Sequence, residues 1–303
     1  MINNLIAKTL KYFPKSLIWI FSKKYIAGEH IEDAIDACRE LNKNGFMVTV
    51  DLLGENIAHP EEAQSYTQQY IELIRRFHQE AIYGNFSVKP SMFGLHVNLE
   101  TCFKNLCCLV QTADLNDTYI RIDMEDSSCT SDEIMLFRRL KTAYPNRVGL
   151  VLQAYLKRTS DDIRRLMDLH HGNSPLNIRL CKGIYIEDQK IAYKDFQEIR
   201  DHYMEDLDFL LRNEVYVGIA THDKYLVDKA IALIEKYNVP GDKYEFQMLY
   251  GVTPGLGQMI LKKGHRLRIY VPYGVDWLNY SIRRLNENPD IVSHVIKAIF
   301  ISH

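Results

Sequence analysis

The 303-residue chain has no Cys-x-x-Cys pair, no Gly-x-Gly-x-x-Gly and no Gly-x-x-x-x-Gly-Lys-Ser/Thr. These absences argue against a zinc ribbon, a doubly wound dinucleotide domain and a phosphate-loop NTPase. Gly251, Gly255 and Gly257 cluster, but at the wrong spacing for a phosphate cradle. Only 9 prolines and 15 glycines occur, so collagen-like and low-complexity readings fall away. Charge of one sign is also lacking: 37 basic residues face 39 acidic ones, and a net charge of −2 gives no field that would draw the chain to nucleic acid. The six cysteines (Cys38, Cys102, Cys107, Cys108, Cys129, Cys181) are scattered in a chain too long to need staples, which suits a reducing cytoplasm. Vicinal Cys107 and Cys108 read best as buried thiols on a helix. Near the N-terminus the longest apolar run, Leu17 to Phe21, is far below the roughly 20 residues of a spanning helix. With Lys8, Lys11 and Lys15 around it, the stretch from Leu5 reads equally as a basic amphipathic helix on an anionic membrane surface or as a helix packed on the protein.

What is present is a regular alternation. Eight β-rich runs occur: 46–53, 86–92, 119–125, 148–155, 177–183, 216–221, 244–249 and 267–273. Most gaps between them carry a helical period, as in the capped segment from Ser160 to Leu169. Alternation of this kind implies parallel strands with crossover helices. Eight units over some 230 residues favour a distorted (βα)8 TIM-type barrel from 46 to 303, preceded by a helical segment at 1–45.

Strands of such a barrel are covered on one face and enclosed on the other, so they should be almost wholly apolar. Several are not. Lys89, Asp123, Gln153, Arg179, Lys182, Glu245 and Gln247 interrupt them. An unpaired buried charge costs several kcal/mol, so these groups are expected to point inward, find partners and gather mostly at the carboxyl ends, where barrel enzymes do chemistry. Lys89 and Asp123 fall on consecutive strands and could pair. After the eighth run, Tyr280, Arg283, Arg284 and Glu287 lie at i, i+3, i+4 and i+7, on one face of a helix that can reach over the barrel mouth. Two guanidinium forks with an acidic orienter make a carboxylate clamp. With Tyr185 and Tyr270 these cations predict a pocket for an anionic ligand. Thr221, His222 and Asp223 end the sixth run; too few further ligands stand nearby for a metal, and hydrogen bonding to a cofactor is preferred.

Segments SVKPSMFG (87–94), RIDMED (121–126), GLVLQAYLKRT (149–159), RLCKGIY (179–185), GIATHD (218–223), YEFQMLYG (244–251), RIYVPYG (268–274) and YSIRRLNENP (280–289) together resemble proline dehydrogenases of the short, monofunctional bacterial type. The matches run in order over residues 46 to 289, one at nearly every strand end. The resemblance implies a barrel holding non-covalent FAD that oxidises L-proline to Δ1-pyrroline-5-carboxylate and passes electrons to a membrane quinone. The enzyme would be cytoplasmic or peripheral at the inner face of the membrane, with a downstream pyrroline-carboxylate dehydrogenase as a further partner. By the same resemblance Lys89, Arg283 and Arg284 would hold the carboxylate, Asp123 would partner the lysine, and Glu287 would orient the arginines. Tyr185, Leu249, Tyr270 and Tyr280 would wall the pyrrolidine ring, with Tyr280 excluding 4-hydroxyproline. Met124, Gln153, Arg179, Lys182, Gly183, Ile184, Thr221 and His222 would contact FAD. Arg179 would stabilise negative charge developing on the flavin. Proline would lose its ammonium proton to water or a weak base, and a hydride would leave its α-carbon. Ile186 departs from the larger or polar residue of many relatives. Two other classes compete: a Schiff-base lyase with Lys182 or Lys89 as nucleophile, and a non-catalytic barrel that binds an anionic metabolite.

Overall fold

The computed structural model describes residues 15–287 apart from 55, 56 and 58, without the side chains of 16, 17, 21 and 285–287. Eight parallel strands close into a barrel: β1 (Met47–Leu52), β2 (Gly84–Val88), β3 (Ile120–Ile122), β4 (Val148–Gln153), β5 (Asn177–Cys181), β6 (Tyr216–Ala220), β7 (Tyr244–Leu249) and β8 (Leu267–Tyr273). Each strand pairs with its sequence neighbours, and β8 returns to β1 with Thr49 opposite Tyr270. The expected (βα)8 architecture is what forms. The bounds of β7 and β8 coincide with the sequence reading. β3 is far shorter, because after Ile122 the chain leaves the ladder to present Asp123 and Glu125 to side-chain partners.

Side-chain parity divides the strands. Val48, Val50, Phe86, Ile120, Leu150 and their equivalents are fully buried beneath the helices, in one continuous core. The other parity faces the barrel axis, and there the polar residues sit: Thr49, Asp51, Ser87, Arg121, Arg179, Glu245, Gln247 and Arg268. They are paired with one another. Glycine makes room for them, since a Cβ on Gly218 would stand 2.4 Å from the Gln247 amide nitrogen. Glu245 does not belong to the mouth. As the second residue of β7 it lies in the amino-terminal half, where its carboxylate takes Arg268 Nε at 2.7 Å and the Tyr216 hydroxyl at 2.7 Å. Burial opposes its ionisation, yet the Arg268 guanidinium brings its pKa down to about 2.

The connecting helices are α1 (Lys15–Ser22), α2 (Ile31–Lys43), α3 (Pro60–Gln79), α4 (Leu99–Leu115), α5 (Thr130–Ala143), α6 (Thr159–Leu166), α7 (Phe196–Arg212), α8 (Lys224–Lys236), α9 (Pro254–Lys262) and α10 (Trp277–Glu287). Two placements distort the barrel. α2 packs on β1 and β8, filling the wall position that a helix after β8 would take, and its Ile35 and Cys38 join the barrel core. α10 is thereby released from the wall. It packs instead against α1, where Ile18, Tyr25, Ile26, Leu53, Trp277 and Tyr280 form a separate apolar cluster. Trp19 and Trp277 stack obliquely at 4.8 Å, and the Trp277 indole N–H donates to Glu29 at 2.7 Å. For residues 15–22 the packed reading therefore holds, on α10; residues 1–14 of the basic amphipathic stretch lie outside the described ones. Among the described residues no helix is long and apolar enough to cross a membrane. Cys107 and Cys108 are indeed on a helix, but Cys107 is only half-buried and Cys108 is exposed.

Candidate active site

The site is built where the inward polar residues reach the carboxyl ends of the strands. Arg179, the central residue of β5, is 6% exposed and hydrogen-bonded on all three nitrogens. Its Nε donates to the Gln247 side-chain oxygen, Nη1 to Asp123 at 2.8 Å and Nη2 to the Ser87 hydroxyl at 3.0 Å. Gln247 donates in turn to Glu245, so the guanidinium at the mouth is fixed by a chain that ends in the barrel floor. The second oxygen of Asp123 accepts from the Tyr270 hydroxyl at 2.9 Å, and the Tyr270 ring lies 5.3 Å from the Arg179 guanidinium. Burial and the Asp123 charge push the Tyr270 phenol well above its usual range, so it stays a donor.

Lys89 corrects an expectation. It does not pair directly with Asp123, whose oxygens are engaged by Arg179 and Tyr270. Its ammonium lies 2.6 and 2.7 Å from the two oxygens of Asp51 on β1. Burial would lower the lysine, but Asp51, Asp123 and Glu125 together hold its pKa above the ordinary value. The turn that carries it is also fastened: Glu125 accepts from the Ser91 N–H at 2.9 Å and from the Ser91 hydroxyl at 2.6 Å. Asp51 escaped the sequence reading although it carried the same signal as the others, a charge inside the apolar run from Val48 to Leu53.

A second group lines the rim between β4 and β6. The Gln153 amide donates to the carbonyls of Met124 and Glu125, at 3.4 and 2.8 Å. Lys182 and Arg200 share one carboxylate, Asp223, at 3.3 and 2.8 Å, leaving a surplus positive charge beside the exposed Phe196 ring. Arg200 lies on α7 and gave no signal in the sequence. Gly183 adopts φ +110°, and a Cβ there would strike the Tyr155 ring at 2.1 Å; the turn requires glycine. Ile184 and Ile186 beyond it are exposed, while Glu187 anchors the segment through the Ser127 N–H and hydroxyl at 2.7 and 2.6 Å. The Thr221 hydroxyl accepts from the Asp223 N–H at 3.1 Å. His222 Nε2 accepts the Leu249 N–H at 2.8 Å, so that nitrogen carries no proton. Burial, with Arg284 and Lys182 nearby, lowers His222 to about 4. Among the described residues no group of His, Cys, Asp and Glu could hold a metal ion.

α10 closes the mouth. It starts beside β8 at Trp277, and by Arg284 it has reached the end of β6, since the Arg284 charge acts on His222 as well as on Tyr25. Arg284 is 8% exposed, Tyr280 is buried, and the guanidinium lies 5.5 Å from the Tyr280 ring centroid. Arg283 and Tyr185 are half-buried at the same end. Glu287 ends the helix, and its side chain lies outside the described residues. The structure thus joins Lys89, Asp123, Arg179 and Tyr270 through Asp51, Ser87 and Gln247, and links Arg284 to Leu249 by way of His222.

The proline dehydrogenase family profile matches residues 34–297. The chain belongs to the proline dehydrogenase family. It is 32% identical over 293 residues to proline dehydrogenase 1 of Bacillus subtilis, covering 96% of this chain and 95% of that protein. It is also 32% identical to proline dehydrogenase of Deinococcus radiodurans, over 93% of this chain and 91% of the relative. Against the bifunctional protein PutA of Escherichia coli it is 29% identical and spans only 23% of that protein. Among solved structures, PutA from Bdellovibrio bacteriovorus inactivated by N-propargylglycine superposes with a TM-score of 0.82 at 26% identity. The alignment covers 88% of this chain and 32% of that one, so this family member spans about a third of that PutA.

Proposed function

We propose that this protein oxidises L-proline to Δ1-pyrroline-5-carboxylate with FAD at the carboxyl ends of β4 to β6, and passes the electrons to a membrane quinone. Family membership supports the substrate. The observation that carries the reading is Arg179, a buried guanidinium clamped on three nitrogens at the barrel mouth. Such a group, desolvated and immobile, is suited to stabilise negative charge that develops above it. FAD fits the donors present: Arg179 and the fixed amide of Gln153 for the ring system, Lys182 for the diphosphate, with Met124, Gly183, Ile184, Thr221 and His222 completing the cleft. When bound, FAD supplies a two-electron acceptor for a hydride.

This chain's own residues do the rest. Lys89, Arg283 and Arg284 hold the carboxylate, and Tyr185, Leu249, Tyr270 and Tyr280 wall the ring, leaving an apolar pocket with one charged end. Tyr280 favours proline over 4-hydroxyproline, and Glu287 is assigned to orient the arginines. Asp123 fixes both Arg179 and Tyr270. The ring ammonium proton leaves to water, because the lone pair of His222 Nε2 is taken by Leu249. The hydride leaves Cδ, not the α-carbon expected above: the product's C=N bond joins the ring nitrogen to Cδ, while Cα keeps its carboxylate. Residues 46–303 are read as the catalytic barrel. Quinone reduction, cytoplasmic location with peripheral membrane contact, and hand-over to a pyrroline-carboxylate dehydrogenase belong to the same proposal.

The Schiff-base alternative fares worse. A nucleophilic lysine must be a neutral amine, whereas Lys89 and Lys182 are both held in ion pairs. The test is turnover of L-proline with a soluble quinone analogue: one pyrroline-carboxylate should form per quinone reduced. Trapping of a substrate–lysine adduct by borohydride, with no quinone reduced, would support the lyase instead.

A further inference from the structure

Lys89 has a partner outside the expected set. Asp51 is 1% exposed, and both its oxygens face the lysine ammonium at 2.6 and 2.7 Å. An ammonium carries three N–H groups, so two are spent on Asp51 and one is left. Asp123 cannot take over this task, since Arg179 and Tyr270 occupy its two oxygens. We propose that Asp51 is a positioning residue of the substrate site: it holds Lys89 in place as an ammonium, with one N–H left for the substrate carboxylate. The inference rests on the proline reading above, in which Lys89 receives that carboxylate.

A buried lysine without a counter-charge reverts towards the neutral amine. The groups facing Lys89 are Asp51 from β1 and Asp123 and Glu125 at the end of β3. Those facing Asp51 are Tyr70 from α3 and Tyr270 and Tyr273 from β8. Burial raises all three phenols above the ordinary tyrosine range. On loss of Asp51, Lys89 is therefore the group in this shell that changes charge first. Its state then sets how well an anion binds.

The probe is cyclopentanecarboxylate, which has the ring and the carboxylate of proline but no titrating nitrogen, and stays anionic throughout. Its affinity for the flavin-loaded enzyme is measured by isothermal titration from about pH 7 to 9, below the ordinary range of tyrosine and lysine. In the wild type the affinity should stay flat. In D51N it should fall with rising pH, approaching about tenfold per unit, the limit for one proton, whereas D51E, which keeps the charge, should stay flat. A D51N titration as flat as the wild type would overturn the proposal and leave Asp51 a structural residue. Should D51N not fold, K89M/D51N leaves no unpaired buried charge. Adding D51N to K89M should then change neither affinity nor pH dependence, and a further loss would mean that Asp51 does not act through Lys89. If the wild type and K89M bind the probe equally well, the assignment of Lys89 to the carboxylate is what fails.

Discussion

Arg284 and Arg179 separate binding from chemistry. Arg284 sits on the closing helix and is assigned to the carboxylate, so R284M should raise KM for proline by about one to two orders of magnitude, the loss of one charge-assisted hydrogen bond of 1.5–3 kcal/mol. The flavin content should stay near that of the wild type; equal loss of both would place Arg284 in cofactor binding. Tyr270 presents the converse case. Its hydroxyl donates to Asp123 at 2.9 Å, so Y270F leaves one lone pair of a buried carboxylate without its donor and should cost about 1 kcal/mol of stability in urea unfolding. A larger effect on kcat than on that stability would reveal disturbance of Arg179, which shares the carboxylate. His222 governs acid behaviour. Its folded pKa of about 4 lies below the ordinary histidine value of 6.5, so the unfolded chain takes up the proton first. Its contribution is fully present above the ordinary value and is lost as pH falls from there towards 4. H222Q, whose amide oxygen can still accept the Leu249 N–H without titrating, should flatten the fall of Tm across that window.

At the scale of elements, the decisive event is the exchange of places between α2 and α10. α2 occupies the wall against β1 and β8, and α10 crosses the mouth with the clamp residues. Its hold there depends on the small cluster around Ile18, Trp277 and Tyr280 rather than on the barrel core. Ile18→Ala should therefore loosen α10 selectively: KM should rise several-fold and amide exchange in α10 should quicken, while the main unfolding transition moves little. A drop of Tm with unchanged KM would mean that α1 supports the barrel instead. None of this was legible in the sequence, because α1 and α2 have ordinary amphipathic patterns that do not state which surface they cover. The strands were legible, since each is bounded by turns and rich in β-branched residues. β3 was overextended for a physical reason: Asp123 to Glu125 look like strand continuation, yet their side chains serve Arg179, Tyr270 and Ser91.

Over the whole molecule, polar residues along one parity of the strands run continuously from floor to mouth. Glu245 and Arg268 sit at the floor and Gln247 links them to Arg179, so rigidity of the site is inherited from the barrel itself. E245Q would strip a buried arginine of its partner and should cost about 3–5 kcal/mol in denaturant unfolding. Interruptions of apolar strands were the signal that made the site readable before any fold was known. That signal marked the residues but not the pairs: Lys89 was matched with Asp123, whereas strand register gives it to Asp51. Partners on helices, such as Arg200, left no trace at all, because a charged residue on a helix is ordinary. The central claim is that this mouth holds a flavin which proline reduces. The most direct measurement is the visible spectrum of the purified protein under anaerobic conditions before and after L-proline. The account predicts a yellow protein whose flavin band bleaches on addition of L-proline; a protein that stays colourless when supplied with FAD, or a flavin band that L-proline leaves intact, would contradict it.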